Sequence, residues 1–307
     1  MKELLKILSL AGLLYFANPN EKACTQDQDI HHVRIAQRDS LIQKIETLED
    51  NLAVNKKDNN LKKELSHLYA KLQQGFTRFL DLSEDEMADK QDIIKGEEYL
   101  TRAIELDPEN LFALNHRGEM YVQLGGRVLY DTFKTNKNFS AEDSTKARND
   151  AQRYFELALE DNYKAVKTEP NNPEAYRHLA QTYRDISETF SNRLDLVESL
   201  NCYEKIRDLL DSTDEDSLKF YPNECEISFE NYYYANYYSI VDLNFSLGRY
   251  KEVIRECEGI PTEYKPLTLY PLINSLINIG REDQAKKEYN KLKGNPFIEK
   301  NFEDYKN

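Results

Sequence analysis

Residues 96–121 read GEEYLTRAIELDPENLFALNHRGEMY, and residues 158–183 read ALEDNYKAVKTEPNNPEAYRHLAQTY. Laid over each other, with Gly96 on Ala158, the two stretches match step for step. Gly96, Leu100, Ala103, Pro108, Leu114, Gly118 and Tyr121 in the first answer to Ala158, Asn162, Ala165, Pro170, Tyr176, Ala180 and Tyr183 in the second. Matched internal spacing at a fixed offset is the signature of one supersecondary unit stacked on its own copies. Each copy reads as a helix that stops at a proline, which has no N–H to continue the ladder, followed by a second helix. Gly118 and Ala180 on one helix, and Ala103 and Ala165 on the other, mark places where two backbones approach closely.

Weaker copies follow. Ser199, Tyr203 and Ile206 keep the spacing of the helix that precedes the proline, after a short stretch of extra chain. LGRYKEVIREC (247–257) and IGREDQAKKEYNKL (279–292) share a glycine turn at Gly248 and Gly280, the first followed by Tyr250, Val253 and Cys257 and the second by Ala285, Tyr289 and Leu292. Together these residues resemble the tetratricopeptide repeat, a helix–turn–helix unit of about 34 residues, and the two glycines stand close to one such period apart. The resemblance covers residues 84–295 and implies an all-α fold: a right-handed superhelix of four or five helix pairs. The offset between the two strong copies exceeds one repeat by most of a second. That excess predicts an insertion near 127–150, containing Tyr130, Phe133, Phe139 and a helix cap at Ser140. The chain has no tryptophan, which is common in the family, and 211–223 fits the pattern poorly.

Upstream, Leu41, Ile45, Leu48 and Leu52 form one helical stripe, and Leu61, Leu65, Leu68, Leu72, Phe76 and Phe79 form another. The turn formers NKKDNN (55–60) separate them, so residues 33–82 read as an antiparallel hairpin. The same stripes would serve as a coiled-coil seam in an oligomerising structural protein, although each lasts only about three heptads. Ser83 with Glu86 reads as a capping box opening the next helix, which carries Ile93, Ile94, Leu100, Ala103, Ile104 and Leu106. Earlier still, Lys2 and Lys6 lead into the uncharged run Ile7 to Ala17, the length of a secretory apolar region and too short to span a bilayer. Residues 1–17 are therefore expected to be a signal peptide, with cleavage as late as 23, and 18–32 a polar linker. Ala23-Cys24 resembles the end of a lipobox, against which Glu21 and Lys22 count, so a lipid anchor on Cys24 is the alternative to simple export. The expected location is the cell envelope or periplasm, and 296–307 reads as a C-terminal tail.

Composition bounds the function. Ten Gly and nine Pro in 307 residues leave no room for a turn-rich barrel or sandwich, and a net charge of −14 disfavours nucleic acid as a partner. No phosphate loop, dinucleotide fingerprint, nucleophile elbow or zincin motif occurs, so neither a cofactor nor enzymatic activity is expected. His31 and His32 are adjacent, which on a helix points them about 100° apart and makes a poor chelate. His116 and His178 occupy equivalent places in neighbouring repeats, which leaves a helical-repeat enzyme or metal protein built on that pair as an alternative. Cys202, Cys225 and Cys257 show no metal spacing; export would permit one disulfide among them, which spacing does not assign.

The family resemblance implies a binding face lined by the first helix of each pair, holding a protein or peptide partner. Counted from the matched small residues, its positions are Asn115, Glu119 and Val122, then Arg177, Gln181 and Arg184, then Tyr238, Asp242 and Phe245. Asn115, Arg177 and Arg184 partly resemble the set that clamps a terminal carboxylate in some family members; Glu119 and Asp242 oppose it. The alternative for both arginines is local pairing with Glu174, Asp185 or Glu188. Tyr232, Tyr233, Tyr234, Tyr237 and Tyr238 form the densest aromatic run. Tyr234, Tyr237 and Val241 in it are read as core, with some aromatic surface left exposed.

Overall fold

The computed structural model describes residues 27–77, 90–135, 140–212, 229–261 and 264–292. The expected signal segment, Cys24, Phe79, the Ser83–Glu86 box, Phe139, most of 211–223, Cys225 and the tail lie outside them. The described residues contain eleven helices and no strand: α1 (Asp27–Val54), α2 (Asn59–Thr77), α3 (Lys90–Leu106), α4 (Leu111–Thr135), α5 (Ala141–Thr168), α6 (Pro173–Phe190), α7 (Arg193–Ser212), α8 (Phe229–Ser246), α9 (Tyr250–Glu258), α10 (Lys265–Asn278) and α11 (Glu282–Leu292). The fold is all-α, a superhelical stack of tetratricopeptide-like pairs.

The repetition is visible in the backbone hydrogen bonds. At the first proline turn, Asp107 N–H donates to Ala103 and Asn110 N–H to Asp107; at the second, Glu169 donates to Ala165 and Asn172 to Glu169. Asn110 and Asn172 then cap α4 and α6, accepting from the N–H of Ala113 and of Glu174. The glycine turns repeat as faithfully. Arg249 N–H reaches Asn244 at 2.8 Å with Gly248 at φ +71°, and Arg281 N–H reaches Leu276 at 2.8 Å with Gly280 at φ +76°. These helix ends need a left-handed residue, which glycine adopts without a Cβ penalty. After α6 the same conformation falls to Ser191, at φ 56°.

Small residues sit where backbones come closest. A Cβ on Gly118 would lie 2.7 Å from Asn162 Oδ1, while Ala103, Ala165 and Ala180 are completely buried. Helices α4 and α5, which span most of 127–150, are long: 25 and 28 residues, against 18 in α6. Ser140 caps α5 as expected, in a reciprocal box with Asp143.

The core passes from pair to pair. Leu100, Leu114 and Met120 fill one cluster, Leu179, Leu200, Ile206, Ile240 and Leu243 the next, and Leu269, Ile273 and Leu276 another near the C-terminal end. At the other end the α1 stripe of Leu41, Ile45, Leu48 and Leu52 packs on Leu61, Leu65, Leu68 and Leu72 of α2 and on Leu106. The apolar seam that an oligomeric coiled coil would need is used up inside the chain. Helix α1 also begins at Asp27, inside the stretch read as linker.

Candidate functional site

The first helices of successive pairs lie side by side: α2 contacts α4, α4 contacts α6, and α8 contacts α10. Between α4 and α6 the rings of His116 and His178 meet edge to face at 5.5 Å. Between α6 and α8, Arg184 Nη2 donates to Asp242 Oδ2 at 2.7 Å. Residues expected on separate repeats thus share one continuous face.

On α4, Asn115 is 2% exposed and its Oδ1 has no hydrogen-bond partner. One turn later Glu119 is exposed, with Oε2 3.2 Å from His116 Nδ1. Desolvation would raise the Glu119 carboxyl, but the His116 hydrogen bond and the charges of His116 and Arg177 win and lower it. Val122 is half-buried.

The α6 arginines are tied down. Arg177 Nε donates to Glu174 Oε2 at 2.7 Å, and its Nη2 approaches His178 Nε2 at 3.0 Å. A guanidinium has only donors, so Nε2 accepts and the His178 proton sits on Nδ1. Burial, with Arg177 and His116 beside it, pushes His178 well below the usual histidine range, leaving it neutral at pH 7. Arg184 Nε donates to Glu188 Oε1 at 3.0 Å in addition to its Asp242 bond. The local pairing that was the alternative for both arginines is therefore what the structure contains, and the free cations of a carboxylate clamp are absent from this pair. Gln181 is exposed and donates to Asp185 Oδ1 at 3.0 Å. Burial raises Asp185 to about 7, opposed by the Gln181 bond and assisted by Glu188 and Glu119.

On α8, Asp242 is buried, and desolvation raises it in spite of Arg184. Tyr238 is half-buried and raised to about 12 by burial and the neighbouring Asp242 charge. Phe245 packs on the rings of Tyr250 and Tyr270 at 6.0 and 5.9 Å. The tyrosine run packs on its neighbours: Val241 is fully buried, Tyr232 nearly so, Tyr234 stacks on Tyr264 at 3.9 Å, and Tyr233 donates to Asp211. Only Tyr232 of the five is buried; Tyr233, Tyr234, Tyr237 and Tyr238 are half-buried, so part of the run's aromatic surface stays open.

The histidine pair is a poor metal site as it stands, because His178 Nε2 and His116 Nδ1 are both engaged within the protein. Among the described residues no three His, Cys, Asp or Glu side chains are grouped to hold an ion. Cys202 and Cys257 are buried free thiols, each pushed up to about 12 by burial, and so unreactive.

Sequence reading missed two polar bridges. Arg117 forks onto Asp161 at 2.7 and 2.8 Å and also reaches Thr101, locking α3, α4 and α5 together. Arg207 pairs with Glu256 at 2.9 Å between α7 and α9. The partners in each bridge stand on different helices, beyond any local spacing rule. Asp185, considered from the sequence as an arginine partner, instead accepts from Gln181, four positions before it on the same helical face.

No family model matches the chain, and no curated protein matches it. Solved structures do. A structure from the functional characterisation of Pseudomonas aeruginosa PilF is 15% identical, over 85% of this chain and 92% of that one, with a TM-score of 0.42. A monomeric mutant of IFIT1 with Gppp-AAAA is 12% identical over 80% of this chain, with a TM-score of 0.33. Yeast Tom70 is 14% identical over 83%, with a TM-score of 0.24. The chain spans 56% and 55% of the latter two. All three are helical-repeat proteins of the tetratricopeptide type, and the likeness is one of architecture alone.

Proposed function

We propose that the protein is a non-enzymatic tetratricopeptide-like scaffold that holds a segment of a partner protein along the face of α4, α6 and α8. The observation that carries this reading is the continuity of that face. The His116–His178 contact and the Arg184–Asp242 bond join three repeats into one surface, so an extended segment would meet side chains from all of them. Exposed Glu119 and Gln181 lie on it, beside half-buried Tyr238 and Phe245. Catalysis has little support there, since His178 is held neutral and its Nε2 already accepts a hydrogen bond from an arginine. An envelope location is part of the proposal, supported by the uncharged run from Ile7 to Ala17 behind Lys2 and Lys6. Among the described residues, no helix is long and apolar enough to cross a membrane.

Affinity capture from native extract, with the chain and its Glu119→Ala, Gln181→Ala variant as paired baits, tests the reading. Both positions are exposed, so the variant should melt as the parent does, within about 0.5 kcal/mol. A partner retained by the parent and lost by the variant is the expected result. Equal retention by both baits would remove the face from the binding site.

A further inference from the structure

Building on that reading of the face as a protein-binding site, we infer that its occupant is cationic: a lysine- or arginine-bearing segment of the partner, with its positive charge between Glu119 and Asp185. Both arginines on this part of α6 are already neutralised, Arg177 by Glu174 and Arg184 by Glu188 and Asp242. Glu119 and Asp185 are then left with no guanidinium bonded to them, Glu119 meeting His116 and Asp185 the Gln181 amide. Helices α4 and α6 pack against each other, and the charge of Glu119 adds to the raising of Asp185, while Arg184 and Arg177 act on the two carboxylates only through space.

The second observation is independent of charge. Asn115 is nine-tenths buried or more, and its Oδ1 is an orphaned acceptor. It stands one helical turn before Glu119 on the same side of α4, and one turn beyond Glu119 the Gln123 Oε1 is a second acceptor without a partner. Asn115, Glu119 and Gln123, at i, i+4 and i+8, offer a row of acceptors and ask for a ligand rich in N–H donors. A buried acceptor left unmade costs about 1–3 kcal/mol, so a donor seated there recovers free energy that the unliganded protein forgoes. Both amide oxygens are closed to water, so a donor reaches them only as the side chains over them turn aside.

An ammonium or guanidinium supplies both the charge and the donors. A terminal carboxylate or a nucleic acid phosphate supplies neither. To bind, it would have to pull an arginine from an existing pair while facing Glu119 and Asp185. The chain's net charge of −14 adds long-range attraction for a basic segment.

The test is selection of short random peptides on the full chain at near-physiological salt, followed by dissociation constants from fluorescence anisotropy for the selected peptides. Enrichment of lysine or arginine is expected, with binding weakened about 10–100-fold in Glu119→Gln, Asp185→Asn. The charge-matched control Asp150→Asn, Glu160→Gln removes two exposed carboxylates of α5 and should shift binding less than about threefold. Selected peptides that are acidic or neutral, or basic ones that lose equally in both variants, would overturn the cationic occupant while leaving the face as a peptide site. Tight binding of a single-stranded RNA probe under the same conditions would overturn it as well. If no peptide is enriched at all, the proposed scaffold function falls together with it.

Discussion

Replacing Arg184 by alanine should destabilise the fold far more than its place on a binding face suggests. Its guanidinium is 20% exposed and its partner Asp242 10% exposed, with 2.7 Å between Nη2 and Oδ2. The alanine leaves a desolvated carboxylate on α8 with no counterion. Orphaning one member of a buried pair costs about 3–5 kcal/mol, and the residual exposure here brings the expectation to about 2–4 kcal/mol. The pH dependence has a definite sign. Asp242 is already raised by burial in the parent. Such a group contributes stability that is present below its unfolded pKa and lost as pH rises through the folded one. Removing Arg184 raises the folded value further, so the penalty should be small below about pH 4 and grow above it. Urea denaturation at several pH values measures this, and Arg184→Ala combined with Asp242→Asn should recover part of the loss. Arg102→Ala is the comparison: its pair with Glu49 is 42% and 40% exposed, and it should cost no more than about 1 kcal/mol. If Arg184→Ala costs no more than that, or its cost is flat with pH, the bridge does not hold α6 to α8.

Two glycines of α4 should respond in opposite directions to alanine. Gly118→Ala drives a Cβ to 2.7 Å from Asn162 Oδ1 and should cost about 1–3 kcal/mol, whereas Gly126→Ala meets nothing within 4 Å and should gain up to about 1 kcal/mol. Thermal melts of the two variants check both signs. Ser191→Gly should raise the melting temperature by relieving the left-handed conformation at φ 56°, worth about 1 kcal/mol; an unchanged or lower melting point would refute the strain. Asp185, raised to about 7 among Arg184, Glu188, Glu119 and Tyr203, contributes stability at low pH that is lost as pH rises toward 7. Asp185→Asn should flatten that slope, and titration of a basic peptide on the parent should show affinity rising through the same pH range.

The architecture was legible because it depends on features that repeat within one helix turn or one turn motif. Pro108 and Pro170, Gly248 and Gly280, and the cap at Ser140 are local, and each produced the hydrogen bonds its type requires. Which residues share one side of a first helix is equally local, since helical periodicity places Asn115 and Glu119 one turn apart. Their chemistry was harder to read. Whether Arg184 is free depends on Asp242, two helices further along the chain, and whether α1 is a dimer seam depends on where α2 folds back. How much of each ring in the tyrosine run stays open was hard to read for a related reason. A ring's exposure is set by what the next pair lays over it, as Tyr264 does for Tyr234.

Helices α4 and α5 outrun their neighbours, and that has a kinetic consequence. At about 1.5 Å per residue, α4 is roughly 10 Å longer than α6, so its C-terminal portion and the start of α5 form a two-helix spur. The inner part of the hairpin is braced from outside, by Arg117 reaching Thr101 and by Phe190 against Phe155. The outer part closes on itself, through Gly125 against Ala151 and the buried Ala147. If the contacts of that outer part run mainly within the pair, it opens below the global unfolding free energy. A single unbroken helix should therefore run on two clocks in amide hydrogen exchange: slow around Leu114 and Met120, fast beyond Arg127.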